Sequence, residues 1–249
     1  MSYGVFAEFY DGLTRNVDYA AKADYICEIF KRFGHTPECM LDLACGTGTL
    51  TIEMKKRGFD IYGADASFEM LSQAQCKAAE EELDIMFLCQ KMQSLNLYGL
   101  IDTCICTLDS ISHLQGKDEV RKTFEKVAEF TEKGGLFIFD VNTLYKHREV
   151  LGNNTFVYDT DEVFCVWENT FDESDSSVKI DLDFFIPLED KENCFERSSE
   201  SFKEFAYSAE DMRSMLEESG FEVLGVYDDM SFEEVREDSQ RATVIAAKK

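Results

Sequence analysis

Basic residues are scarce in this chain. Its 249 residues hold 25 lysines and arginines against 50 aspartates and glutamates, a net charge of -25. No basic run interrupts that excess. Nucleic-acid binding by phosphate neutralisation needs a basic face, and so does docking on anionic lipid; neither is expected. Metal and disulfide signatures are missing too. The nine cysteines form no C-x-x-C pair, and the three histidines, His35, His113 and His147, are scattered. Cys27, Cys45, Cys89, Cys104, Cys106 and Cys165 lie in apolar contexts, which reads as buried thiols rather than a disulfide framework or a zinc site. No bound metal is expected. No apolar run approaches the roughly 18 residues of a membrane span. The opening segment MSYGVFAEFYDGL is aromatic and acidic, without the basic start and apolar stretch of a secretion signal. A cytoplasmic protein is the expectation.

What the chain does have is patterned apolar sequence. A hydrophobic share of 45% is ample for a core, which excludes wholesale disorder. The length fits one large domain, or one domain carrying an insertion. After Asp18, a good N-cap, Tyr19, Ala23, Ile26, Phe30 and Phe33 recur at helical spacing until Gly34. The apolar run CMLDLA (39–44) predicts a buried strand. A helix carrying Leu50, Ile52 and Met54 follows and stops near Gly58. FDIYGAD (59–65) is a second strand, and Ser67 caps a helix reaching about Glu82. IMFLC (85–89) and IDTCICTL (101–108) are strands three and four. A helix from about Asp118 to Thr131, ended by Gly134-Gly135, leads to a fifth strand, LFIFDV (136–141).

Strands alternating with helices in this rhythm predict a parallel sheet covered on both faces, wound right-handed into a doubly wound α/β layer. The loops after residues 44, 64, 90, 108 and 141 then face one cleft at the carboxyl ends of the strands. Beyond residue 150 the pattern changes to alternation rich in β-branched and aromatic residues, with DESDSS and LEDKEN as turns. This predicts a set of antiparallel strands inserted after the fifth strand. Residues 151–210 hold 16 acids and 4 bases, so half of the charge excess lies here, either on a solvated face or at a site for a cationic substrate. Ser208 then caps a helix with Met212, Met215 and Leu216 inward. Strands at 221–228 and 242–248 close the chain as an antiparallel hairpin. The expected division is residues 1–150 with 207–249 as the main domain, 1–36 as a helical lid, and 151–206 as a β subdomain over the cleft.

The chemistry centres on LDLACGTG (41–48). Gly46 and Gly48 let backbone approach a ligand closely, and the following helix aims its first amides into the cleft. Asp65, ending the second strand, can accept hydrogen bonds from both hydroxyls of a ribose. Together they point to a nucleoside-containing ligand. A dinucleotide fingerprint would place a third glycine at Thr51, and Asp42 would repel phosphates but suits an ammonium or sulfonium group.

With DLACGTG, GADASFEML (63–71), CQ (89–90), LDS (108–110) and GGLFIFDVN (134–142), the chain resembles a class I S-adenosylmethionine-dependent methyltransferase. It is similar in particular to small bacterial members with an aromatic amino-terminal segment (Tyr3 to Leu13 here) and a β insertion after the fifth strand. The resemblance implies a mostly parallel seven-stranded Rossmann-like sheet. It implies that Ala44, Gly46 and Gly48 line the methionine part of S-adenosylmethionine, and that Asp42 holds its amino group. Asp65 would bind the ribose, with Ala66 and Met70 near the adenine. Lys91 stands where the family's adenine-binding Asp is expected, leaving that contact to Gln90 or the backbone at Met92. Leu108 and Asp109 would flank the methyl group, and Tyr10 would close over the cofactor.

Methyl transfer is an in-line displacement, so catalysis is largely alignment. A base is needed only if the acceptor must lose a proton, and Asp109, His113, Asn142 and Tyr145 are the candidates in cleft-facing loops. Trp167 and Glu168, an aromatic beside a carboxylate, could hold a cationic acceptor, or Trp167 could pack the insertion's own core. The expected activity moves a methyl group to a small molecule or protein side chain and yields S-adenosylhomocysteine. The alternatives are a silent S-adenosylmethionine-binding sensor or assembly module, and RNA methylation on a partner's basic surface. The oligomeric state is not readable from the residues.

Overall fold

The computed structural model describes residues 4–188, 191 and 194–249. Tyr3 and most of the LEDKEN turn lie outside the described residues. The first helix, α1 (Val5–Leu13), buries Phe6, Ala7, Phe9 and Leu13 along one face. Helix α2 (Tyr19–Phe33) begins as its sequence predicts. Asp18 accepts a hydrogen bond from the Ala21 N–H, and Gly34 takes the left-handed conformation that ends the helix.

Alternation of helix and strand then builds the main sheet: β1 (Met40–Leu43), α3 (Thr49–Lys56), β2 (Ile61–Asp65), α4 (Phe68–Glu80), β3 (Phe87–Cys89), β4 (Ile101–Cys106), α5 (Lys117–Phe130) and β5 (Thr131–Asn142). After a four-stranded insertion come α6 (Ala209–Glu218), β10 (Phe221–Asp228) and β11 (Arg241–Lys248). The spatial order is β10-β11-β5-β4-β1-β2-β3. Strands β1 to β5 run parallel, while β11 lies antiparallel between β5 and β10. This is the mostly parallel seven-stranded Rossmann-like arrangement that the resemblance implies, closed by the expected antiparallel hairpin. The order reverses between β1 and β4, which pair directly, Asp42 opposite Ile105. In open α/β sheets that reversal opens a crevice at the carboxyl ends of the strands.

The insertion is a separate antiparallel sheet, β6 (Thr155–Asp159), β7 (Phe164–Asp172), β8 (Ser177–Pro187) and β9 (Phe195–Phe205), in sequential order. Its inner face, with Cys165, Val178, Ile180, Leu182 and Phe184, packs on α1 and on Met70 of α4. Phe6 is the hub of that contact, with ring centroids 6.2 Å from both Phe184 and Phe202. The main core lies on the two faces of the large sheet: Phe124, Phe137, Phe139 and Phe221 on one, and Ile26, Ile29, Met54 and Ile138 on the other. Each such side chain, fully buried, contributes about 1.5–3 kcal/mol relative to exposure.

Three sequence expectations shift. The fourth strand stops at Cys106 instead of running to Leu108, because Leu108 and Asp109 adopt left-handed backbone (φ 55° and 53°) that cannot continue a ladder. The third strand is limited to Phe87–Cys89. Gly134-Gly135 do not end α5. Its last turn closes when the Thr131 hydroxyl donates to the Val127 carbonyl at 2.6 Å, and Thr131 pairs at once with Ile101 of β4. Among the described residues no helix is long and apolar enough to cross a membrane.

Candidate active site at the switch point

The turn after β1 is built on left-handed backbone at Ala44, Gly46 and Gly48 (φ 59°, 53° and 73°). The two glycines do different work. A Cβ at Gly46 would meet nothing within 4 Å, so its missing side chain leaves open space in the crevice. A Cβ at Gly48 would come within 2.8 Å of the Ala74 Cβ and 3.2 Å of the Phe87 ring. Gly48 therefore lets the turn pack closely on α4 and β3.

Asp65 joins this turn to the start of α4. Its Oδ2 accepts the Gly46 N–H at 2.9 Å and its Oδ1 accepts the Ser67 N–H at 2.8 Å. Burial raises its pKa, and the hydrogen bonds from Ser67, Gly46 and Ala66 pull the other way. A carboxylate has about four acceptor sites, so each oxygen keeps capacity for a ribose hydroxyl. Ala66 beside it is exposed. The glycine turn and the acid thus meet at one rim with the space over Gly46 open, a cradle that fits a bound nucleoside.

Other positions depart from expectation. Asp42 is 2% exposed and accepts the Thr51 hydroxyl at 2.6 Å, which ties the end of β1 to α3. Burial pushes its carboxyl up to about 7, despite the Thr51 hydrogen bond. Met70 is buried against α1 and the inserted sheet. Gln90 spends its amide on Asn96, donating to its carbonyl at 3.0 Å and accepting its N–H at 2.8 Å. That leaves exposed Lys91 and the backbone at half-buried Met92 beside β3.

At the ends of β4 and β5 lies a buried ionic centre. Asp140 accepts the backbone N–H groups of Leu108 (3.1 Å) and Asp109 (2.6 Å), together with Lys22 Nζ (3.1 Å) and Arg241 Nη1 (2.7 Å). These bonds hold the two left-handed residues, each of which costs about 1–3 kcal/mol in isolation. Burial would raise the Asp140 pKa, but Arg241 and Lys22 outweigh it and hold the carboxyl well below the usual range. Asp109 is likewise held low against burial, by Arg241 at 2.5 Å and by Lys146. Asn142 donates to Asp109 Oδ2 at 2.9 Å and to Glu204 Oε2 at 3.4 Å, and accepts Lys146 Nζ at 2.9 Å. Glu204 reaches this centre from β9. Its Oε1 lies 3.8 Å from His113 Nε2 and its Oε2 lies 3.6 Å from Nε2 of the fully buried His147. Asp109, His113 and Asn142 therefore do come together.

The foreseen acceptor residues do not. Trp167 stacks edge-on against Phe6 (6.3 Å) and donates its indole N–H to Asn169, packing the insertion's core. Glu168 is exposed on the opposite face of the same strand, since successive strand residues alternate. Tyr145 lines a cavity of about 260 Å³ with Asn142, Met212, Val226 and Arg236. Tyr10 sits half-buried against Phe6, 5.3 Å between rings. Its neighbour Asp11 ties α1 to the glycine turn, accepting the Thr47 hydroxyl at 2.7 Å.

Residues 40–135 match the methyltransferase domain family. A methyltransferase-family protein of Geobacillus sp. (strain WCH70) is 31% identical over 249 residues, covering 100% of both chains. The crystal structure of an S-adenosylmethionine-dependent methyltransferase from Clostridium acetobutylicum ATCC 824 superposes with a TM-score of 0.87 at 36% identity, covering 99% of this chain and 98% of that one. A glycine/sarcosine N-methyltransferase of Parasynechococcus marenigrum (strain WH8102) is 29% identical over 137 residues, 53% of this chain and 49% of that protein. Fold, nucleoside cradle and likeness define a class I methyltransferase. This chain belongs to the S-adenosylmethionine-dependent methyltransferases, with S-adenosylmethionine as its cofactor.

Sequence reasoning missed Asp140, Arg241, Lys22 and Glu204. Asp140 had a signal, a lone acid inside the apolar run LFIFDV. Arg241 and Lys22 had none, being 101 and 118 residues from Asp140, and Glu204 is one of 16 acids in its segment.

Proposed function

We propose that this enzyme methylates an amine nitrogen of a small molecule taken up between the ends of β4 and β5 and the inserted sheet. The observation that carries the reading is the lining of that space. Asp109 and Glu204 are acceptor-only groups when ionised, and they flank His113 beneath an acidic insertion. An amine or ammonium offers donors to the lone pairs that Arg241 and Asn142 leave open on these carboxylates. The likeness to a glycine/sarcosine N-methyltransferase supports the same class of acceptor.

Bound S-adenosylmethionine supplies a methyl group made electrophilic by its sulfonium. Asp65 would hold the ribose, the open face of Gly46 and the turn at Ala44 would take the methionine portion, and Ala66, Lys91 and the Met92 backbone would surround the adenine. Leu108 and Asp109, fixed by Asp140, would set the wall beside the methyl. An ammonium acceptor must first lose a proton, and His113 is placed to take it. The freed nitrogen lone pair forms the N–C bond as the S–C bond breaks with its pair going to sulfur. The products are the methylated ammonium and S-adenosylhomocysteine, and His113 returns its proton to solvent. We assign α1 the role of lid and residues 151–206 that of acceptor subdomain. Tyr145 and its cavity would receive an apolar portion of the acceptor.

The test is transfer of isotopically labelled methyl from S-adenosylmethionine to paired amines and alcohols of equal carbon skeleton, with products identified by mass spectrometry. N-methyl products from the amines are expected. Transfer to the alcohols alone would overturn the amine assignment.

A further inference from the structure

Glu204 is the least expected member of the site. It comes from β9 of the insertion, yet it is 5% exposed and sits on the far sheet's rim. One carboxylate oxygen of Asp109, one ring nitrogen of His113 and one carboxylate oxygen of Glu204 all lie within 4.8 Å of one another. Glu204 Oε1 receives no hydrogen bond among the described residues, since its only donor, Asn142, reaches Oε2. Behind it, His147 is fully buried and neither ring nitrogen has a hydrogen-bond partner among the described residues, though Nε2 lies 3.6 Å from the same carboxylate. The Ser112 hydroxyl, buried in the turn that carries His113, is likewise without a partner among the described residues. Orphaned buried polar groups around a carboxylate with spare capacity are costly unless something completes them.

Resting on the amine reading above, we propose that Asp109, His113 and Glu204 form a three-acceptor nest for a primary amino group, and that the inserted sheet supplies its deciding member, Glu204. The spacing admits an ammonium: N–H···O distances of about 2.8 Å spread three acceptors about 4.6 Å apart, inside the 4.8 Å that encloses these groups, and His113 Nε2 and Glu204 Oε1, 3.8 Å apart, would open by under 1 Å to receive it. The charges fit too. Arg241 and Lys146 already stand on Asp109 and Asn142, which opposes a dication more than a single positive charge. Each added methyl removes one N–H from the nest, so a primary amine is the preferred acceptor and a tertiary amine is released.

The nest can be tested by binding alone. Two analogues of S-adenosylmethionine are compared, both with nitrogen in place of sulfur, one bearing a 2-aminoethyl group and the other the isosteric n-propyl group. Calorimetry on the full chain should give the aminoethyl compound an advantage of about tenfold or more, the worth of one charge-assisted hydrogen bond. Glu204→Gln should remove most of that advantage while leaving the n-propyl affinity unchanged, which shows the variant folded. No advantage in the wild type, or an undiminished one in Glu204→Gln, overturns the nest. An advantage that appears only with added zinc or magnesium overturns it in favour of a metal site. Because no methyl is transferred, this result is separate from the amine-versus-alcohol assay: either can fail alone.

Discussion

Asp109 and Asp140 share one guanidinium: Arg241 donates Nη2 to the first and Nη1 to the second, while the Asp109 backbone N–H binds Asp140 at 2.6 Å. Two buried carboxylates that would repel are thereby held side by side at the ends of β4 and β5. The left-handed turn at Leu108-Asp109 depends on that arrangement.

Asp140→Asn should accordingly be costly. It leaves Lys22 and Arg241 with one buried partner fewer, and breaking a buried pair in this way costs about 3–5 kcal/mol. Denaturant unfolding should show a midpoint displaced by that amount. A midpoint within about 0.5 kcal/mol of wild type would mean that the centre adds little to stability.

Asp42 gives the stability curve a signature near neutrality. Its folded value of about 7 lies above the ordinary 3.8, so between these values the folded chain keeps a proton that the unfolded chain has released. Stability from this group is full below about pH 4 and is lost as pH rises through 7, at up to about 1.4 kcal/mol per pH unit. Asp109 and Asp140 have the opposite sign: their support is present above the ordinary carboxylate range and is lost only in acid. Asp42→Asn can keep the Thr51 hydrogen bond and should flatten the decline between pH 5.5 and 7.5. An equal difference from wild type at both pH values would contradict this.

The glycine turn separates two kinds of damage. Gly46→Ala places a methyl group in the open cradle and should weaken S-adenosylmethionine binding at a folding cost of about 1 kcal/mol from its left-handed backbone. Gly48→Ala adds a clash at 2.8 Å with Ala74 to the same backbone strain, so it should lose more stability. Thermal melts beside calorimetry would reveal the contrast, and equal stability losses would remove it.

Asp65→Ala should lower S-adenosylmethionine affinity by about tenfold or more, through the lost charge-assisted hydrogen bonds and the freed Gly46 N–H. An unchanged dissociation constant in calorimetry would show that the ribose is held elsewhere.

The frame of this protein was readable because its signals are local. Asp18, Ser67 and Ser208 cap the helices their sequence positions announce, and a buried parallel strand such as MLDL reads as an unbroken apolar run. That the glycine turn and Asp65 meet at one rim was readable for the same reason: glycines in a turn and an acid at a strand end sit within one β-α-β unit. The acceptor side was not. Glu204 and Arg241 reach Asp109, and Lys22 reaches Asp140, only through tertiary packing of β9, β11 and α2, and no periodicity marks a residue for that. Trp167 with Glu168 misled because adjacency along a strand places side chains on opposite faces. Gln90 misled because its amide could pair with a backbone only six residues away.

The position of β11 between β5 and β10 decides how the ionic centre is completed. Without that strand, Asp109 and Asp140 would face each other with Lys22 as the chief cation on Asp140. Its pairing with β5 is long-range and carries a loop entropy that local helices do not, and it is this pairing that brings Arg241 onto both carboxylates. The turn at Leu108-Asp109 is thus tied to the last strand of the chain.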